Sequence, residues 1–195
     1  MNFDYNKYRF TQKWFHEQVA LKTELHKYID TSKKLNILEI GNFEGLSSCF
    51  FSDNYLNHEE SKLYCVDPYY ITGSVEGITS QCIDENTEKI FIENIQKSKN
   101  YNKINKFKKT SDEFFIDNDI IFDIIYIDGC HEPEYIERDI KNAFEFTKKD
   151  SIIWFDDYGG GVNGSIKKYI NNFLQKYKNE FKILYIGYQL GIQIL

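Results

Sequence analysis

Arginine and alanine each occur only twice in this chain, as Arg9 and Arg138 and as Ala20 and Ala143. With so few arginines, a net charge of −6 and a pI near 5.3, there is no basic stripe of the kind nucleic-acid binding needs. The lysine run Lys103-Ile104-Asn105-Lys106-Phe107-Lys108-Lys109 reads as a solvated face around a short strand. No apolar stretch approaches the length of a membrane span, which excludes a membrane partner of that kind. Met1-Asn2-Phe3-Asp4 lacks the basic and apolar regions of a signal peptide, so the expected compartment is the cytoplasm (a host's, for a viral source). Cys49, Cys65, Cys82 and Cys130 share no CxxC spacing, which fits free thiols in a reducing compartment better than zinc or a disulfide framework. The bias toward Lys, Asn, Ile and Tyr is the mark of an AT-rich genome, bacterial or large-viral, and carries no chemistry.

What is present is enough for one domain with a sizeable core: 195 residues, 42% hydrophobic and 17% aromatic. Four apolar runs each end in a carboxylate. They are Ile37-Leu38-Glu39, Leu63-Tyr64-Cys65-Val66-Asp67, Ile124-Ile125-Tyr126-Ile127-Asp128 and Ile152-Ile153-Trp154-Phe155-Asp156-Asp157. Short apolar runs separated by helix-like stretches read as parallel strands buried on both faces. Ligands of such sheets sit outside the carboxyl ends of the strands, where these acids line up. Unpaired buried carboxylates are costly, so the row calls for cations or hydroxyl-rich ligands.

The spacing predicts an N-terminal helical extension over Phe10–Tyr28, either covering the sheet or closing over the site. Strands follow at Asn36–Ile40, Lys62–Val66, near Lys106–Lys108, at Phe122–Ile127 and at Ser151–Phe155. Helices are expected from Leu46 to about Leu56, around Ile83, Ile90, Phe91 and Ile95, from Pro133 to Phe146, and over Ser165–Tyr177. Ser111 or Asp112 could cap a brief helix after the third strand. Two last strands, Lys182–Ile186 and Leu190–Leu195, are joined by Gly187-Tyr188-Gln189 and make an antiparallel hairpin. The expected architecture is a single α/β three-layer domain over residues 1–195 with a mostly parallel seven-stranded sheet.

Glu39-Ile40-Gly41-Asn42-Phe43-Glu44-Gly45 joins a strand to a helix, where glycines permit a sharp turn and close approach of a ligand. GxGxxG is incomplete here, since Phe43 takes the place of the middle glycine, and this favours a ligand without phosphates. Asp67 ends the adjacent strand, where an acid can grip ribose hydroxyls.

These stretches, with Asp123–His131 and Ile152–Tyr158, resemble class I S-adenosylmethionine-dependent methyltransferases, and within them the macrocin-type sugar O-methyltransferase branch. The resemblance runs from about Trp14 to Gln189 and implies a Rossmann-like core over residues 36–195 behind the 1–30 extension. It implies S-adenosyl-L-methionine as cofactor, held by Glu39, Gly41, Asn42, Phe43, Gly45 and Asp67, with Thr110 and Ser111 beside the adenine and Asp128 near the methionyl amine. Two departures are Lys149-Asp150-Ser151, where many relatives carry Gly-Gly, and Cys130, where many have an acid.

Asp128 and the Asp156–Asp157 pair close adjacent strands, whose ends lie about 5 Å apart. They can converge on one hard cation, Mg²⁺, which would also lower the pKa of a bound hydroxyl. Which of Asp156 and Asp157 is a ligand stays open; equally, Asp156 could merely cap a turn. His131, three residues after Asp128, is the candidate general base, with Tyr158 as the fallback. His16, His26 and His58 have no such context. The expected function is O-methylation of a small hydroxylated acceptor, such as a sugar or sugar nucleotide, in a pocket shaped by Trp14, Phe15 and the Pro68–Ser80 loop, with self-association open. The rivals are a non-catalytic cofactor-binding module and a metal-independent N- or protein methyltransferase.

Overall fold

The computed structural model describes residues 3–12, 19–70, 85–160 and 164–195. Seven strands form one sheet: β1 (Asn36–Ile40), β2 (Lys62–Val66), β3 (Ile104–Phe107), β4 (Phe122–Ile127), β5 (Thr147–Phe155), β6 (Phe181–Ile186) and β7 (Leu190–Ile194). Their spatial order is β3-β2-β1-β4-β5-β7-β6. The first five are parallel, and β7 runs antiparallel between β5 and β6. The chain order reverses between β1 and β4, which sit side by side. A crevice opens at such a switch point, outside the carboxyl ends of the strands.

The central strands β1 and β4, and β5 from Ser151 on, are buried on both faces, which is why those runs are apolar without alternation. Leu38, Ile40, Val66, Ile125, Ile127, Ile153 and Phe155 pack against one helical layer: α4 (Ser111–Ile116), α5 (Pro133–Glu145) and α6 (Ser165–Leu174). Ile37, Leu63, Cys65, Ile124, Tyr126, Ile152 and Trp154 face the other. That layer is made of α1 (Val19–Thr23), α2 (Leu46–Asn54), α3 (Glu85–Lys97) and a 3-10 turn at Leu25–Tyr28. No helix among the described residues is long and apolar enough to cross a membrane.

Several boundaries differ from the sequence expectation. β5 begins at Thr147, four positions early by an irregular register opposite Phe122 and Ile124, with Asp150 at φ 70°. Its first residues are polar and exposed, so hydrophobicity gives no sign of them. β3 lies at Ile104–Phe107, shifted toward the N-terminus because Ile104 pairs with Leu63. α2 stops at Asn54, α5 at Glu145, and α6 at Leu174 before a 3-10 turn at Gln175–Tyr177. Thr110 caps α4, in place of Ser111 or Asp112: its side chain accepts from Glu113 N–H while Glu113 reaches back to Thr110 N–H. Of the N-terminal extension, Val19–Thr23 is helical, and residues 13–18, with Trp14 and Phe15, lie outside the described residues, as do residues 71–84 with Ile83 and Cys82.

Candidate active site

β1 delivers Glu39 into the core beneath the start of α2, with 0% exposure. The Ser47 and Ser48 hydroxyls both donate to it, and the Cys65 thiol lies 3.6 Å away. Burial outweighs these bonds and pushes its carboxyl up to about 7. The chain then turns through Gly41 at φ +82°, Phe43 at φ +47° and Gly45 at φ +82°. At Gly41 the absent side chain makes room for protein: a Cβ there would lie 1.9 Å from the Asp128 carbonyl oxygen. The glycine thus lets the β1 loop close against the end of β4.

Asn42, 3% exposed, has its Nδ2 3.4 Å from the Glu39 carbonyl, while its buried Oδ1 finds no hydrogen-bond partner among the described residues. Asp67, at the end of β2, pins this loop. Its Oδ2 accepts from Asn42 N–H at 2.7 Å and Phe43 N–H at 2.9 Å, and its Oδ1 accepts from Tyr69 N–H at 2.7 Å. Burial still raises its pKa above the ordinary value against those three bonds.

On the other side of the switch point, β4 and β5 present Asp128, His131 and Asp157, each offering a ligand-type atom within 4.8 Å of the others. His131 Nε2 stands 3.1 Å from Asp157 Oδ2, and the Tyr188 hydroxyl donates to Asp157 Oδ1. Burial alone would raise Asp157, but the His131 and Tyr188 hydrogen bonds win and hold it below the usual carboxylate value. Asp156, 4% exposed, accepts from Gln189 Nε2 at 2.6 Å and also meets the Asp128 carboxyl and the Tyr126 hydroxyl. Burial first, then the Asp157 charge, push Asp156 up to about 7. Burial and the charges of Asp156, Asp157 and Glu39 carry Asp128 well above its ordinary value. Carboxyls this close cannot all ionise cheaply without a cation.

The remaining sequence candidates fall nearby or elsewhere. Thr110 is the helix cap just described, and Ser111 donates at 2.6 Å to Asp139, a carboxyl 3% exposed that burial pushes up to about 7. Tyr158 is turned from the site: its hydroxyl lies 3.0 Å from Asn171 Oδ1 on α6. Among the described residues Cys49, Cys65 and Cys130 form no disulfide. Sequence reasoning passed over Tyr188, Gln189 and Asp139. The first two sit in what reads as a bare turn; the third keeps helical step with Ile136 and Ile140, a polar residue on an apolar face, and that was the available signal.

The fold is that of class I, Rossmann-like S-adenosylmethionine-dependent methyltransferases. A family model described as a methyltransferase domain matches residues 38–158, more than half of the chain, and the protein belongs to that family. It is 30% identical over 124 residues to an uncharacterised protein of Acanthamoeba polyphaga mimivirus, a match covering 64% of this chain and 52% of that protein. The chain therefore spans about half the length of that curated relative. Among solved structures, the O-methyltransferase TomG of Streptomyces achromogenes, in complex with SAM, superposes with a TM-score of 0.61 at 11% identity, covering 93% of this chain and 78% of TomG. An O-methyltransferase of Bacillus cereus, in complex with SAH, gives a TM-score of 0.58 at 13% identity over 81% of this chain and 73% of its own. At such identities the likeness is one of fold.

Proposed function

We propose that the protein is an S-adenosylmethionine-dependent O-methyltransferase acting on a small hydroxylated acceptor of the sugar or sugar-nucleotide type. The observation that carries this is the meeting of two half-sites across the β1–β4 switch point: the Glu39–Gly45 loop with Asp67, and the Asp128, His131, Asp157 group. The cofactor would supply an electrophilic methyl group on a sulfonium. The residues present suit it: Asn42 Oδ1 is a buried acceptor without a donor among the described residues, where a ligand bearing N–H or O–H groups can satisfy it. Asp67 commits three acceptor positions to backbone N–H groups, and a carboxylate has about four, leaving one for a ribose hydroxyl. Thr110 and Ser111 would border the adenine.

Asp128 and Asp157 would hold a magnesium-type cation, whose charge would lower the pKa of an acceptor hydroxyl. Carboxylate oxygens suit that ion and imidazole suits it poorly, so His131 is read as base and not as ligand. With Nε2 donating to Asp157, the free lone pair of a neutral ring is on Nδ1, and Nδ1 takes the acceptor proton. Asp157 fixes the tautomer and steadies the imidazolium that forms. A non-catalytic module would need the cofactor loop alone, and the second half-site argues against it. The second reading, methylation without metal, is favoured by the His131–Asp157 pair itself, since an acid-oriented histidine can work unaided. A product-detecting assay on sugar nucleotides and catechols, with Mg²⁺ or with EDTA, tests both. Methylated sugar in Mg²⁺ and none in EDTA is expected; full activity in EDTA would replace the metal with the histidine pair alone. No transfer to any hydroxyl acceptor would remove the O-methyltransferase reading.

A further inference from the structure

We infer that the turn between β6 and β7 is part of the site, with Tyr188 and Gln189 as positioning residues that sort the Asp156–Asp157 pair into one buried and one presented carboxylate. The inference rests on the reading of Asp157 and His131 given above and adds residues to it. The geometry begins with register: Phe155 pairs with Leu190, so Gln189 falls opposite Asp156, one step beyond the last paired residue. Tyr188 and Gln189 lie in the bend before β7, and their side chains reach different carboxylates. Asp156 and Asp157 are parted as well: Gln189 holds the first, while Asp157, in the left-handed conformation at φ +44°, meets His131 and Tyr188. Each turn residue then meets one aspartate.

Gln189 is held in one orientation. Its Oε1 accepts from the Trp154 indole N–H at 3.0 Å, and an indole can only donate, so the amide nitrogen must face Asp156, 2.6 Å away. Gln189 is 1% exposed and Asp156 4%, so this bond fixes a buried carboxylate, beside Asp128. Tyr188, 45% exposed, donates from its hydroxyl to Asp157 Oδ1, leaving Oδ2 to His131. The backbone is built to admit it. Gly159 N–H bonds the Tyr188 carbonyl at 2.7 Å, and a Cβ on Gly159 would lie 3.2 Å from Tyr188 Cα. A Cβ on Gly160 would meet the Asp157 carbonyl oxygen first, at 3.0 Å, so it is Gly159 that leaves room for the tyrosine.

The test uses the full chain with Tyr188→Phe and Gln189→Leu, reading Mn²⁺ affinity by electron paramagnetic resonance and the His131 ring tautomer by ¹⁵N nuclear magnetic resonance. Melting temperature and S-adenosylhomocysteine affinity are measured beside them. Residues supporting metal ligands typically change metal affinity about 10–100-fold. A loss of that size in each variant is expected, with a mixed His131 tautomer in Tyr188→Phe and wild-type cofactor affinity throughout. Unchanged Mn²⁺ affinity and tautomer in both variants would overturn the inference, as would losses that follow melting temperature and cofactor affinity equally. If the wild type itself takes no Mn²⁺, the metal falls from the proposed function. The tautomer then decides the hairpin's role: mixed in Tyr188→Phe supports it, and preserved as in wild type refutes it.

Discussion

Replacing Glu39 with glutamine should make the fold less sensitive to rising pH. Glu39 is wholly buried, its partners among the described residues are neutral hydroxyls, a thiol and an amide, and its carboxyl sits at about 7 against an ordinary 4.5. An acid whose folded value is raised binds its proton more tightly folded than unfolded. Stability therefore falls as pH climbs from the unfolded value toward the folded one, and levels off above it. Between about pH 5 and pH 8 the wild type should lose about 2.5 kcal/mol relative to Glu39→Gln, which has no proton to lose. For a chain of this size that is roughly 5–10 °C of melting temperature. Asp139, also pushed up to about 7, is common to both proteins and cancels; Asp128, which the Glu39 charge helps to raise, is controlled for by repeating the comparison in Asp128→Asn. Thermal melts of ligand-free protein in EDTA across that range make the measurement. A gap between the two proteins that stays constant with pH would show that Ser47 and Ser48 hold Glu39 ionised, and that its burial costs the fold no proton.

His131→Ala should lower kcat about 10²–10⁴-fold while S-adenosylhomocysteine affinity and melting temperature hold, since His131 touches the second half-site only. Turnover near wild type would remove His131 as the base. Gly41→Ala should cost at least about 2 kcal/mol in urea unfolding, because its Cβ meets the Asp128 carbonyl oxygen at 1.9 Å and its φ is +82°. Wild-type stability in that variant would mean the β1 loop is not packed as described.

The strands that are central in the sheet are the ones legible in sequence. Asn36–Ile40, Lys62–Val66 and Phe122–Ile127 are expected and found at the same residues, since each is largely buried and bounded by charge or glycine. Legibility fails at the edges of the hydrophobic signal. The first residues of β5 are exposed and polar, and β3 is a half-buried edge strand whose register is set by Leu63 and its neighbours rather than by its own pattern. Cap chemistry was present as Thr110-Ser111-Asp112-Glu113, yet the choice among adjacent hydroxyls turned on Asp139, which occupies Ser111 from α5.

The site divides along a similar line. Asp67, Asp128 and Asp157 are legible because a parallel strand must end where ligands bind, so an acid at that point has a reason to be there. What a run of letters cannot carry is the fate of two adjacent acids. Asp156 and Asp157 have nearly the same local sequence environment, and the antiparallel return of β7 helps to separate them, setting Gln189 on one and Tyr188 on the other. That pairing spans 31 to 33 residues and depends on a register fixed by Leu190 opposite Phe155. A slip of one residue would reverse every side chain of the strand. Gln189 would then lose Asp156 and Tyr188 would lose Asp157, leaving His131 as the donor that still marks Asp157.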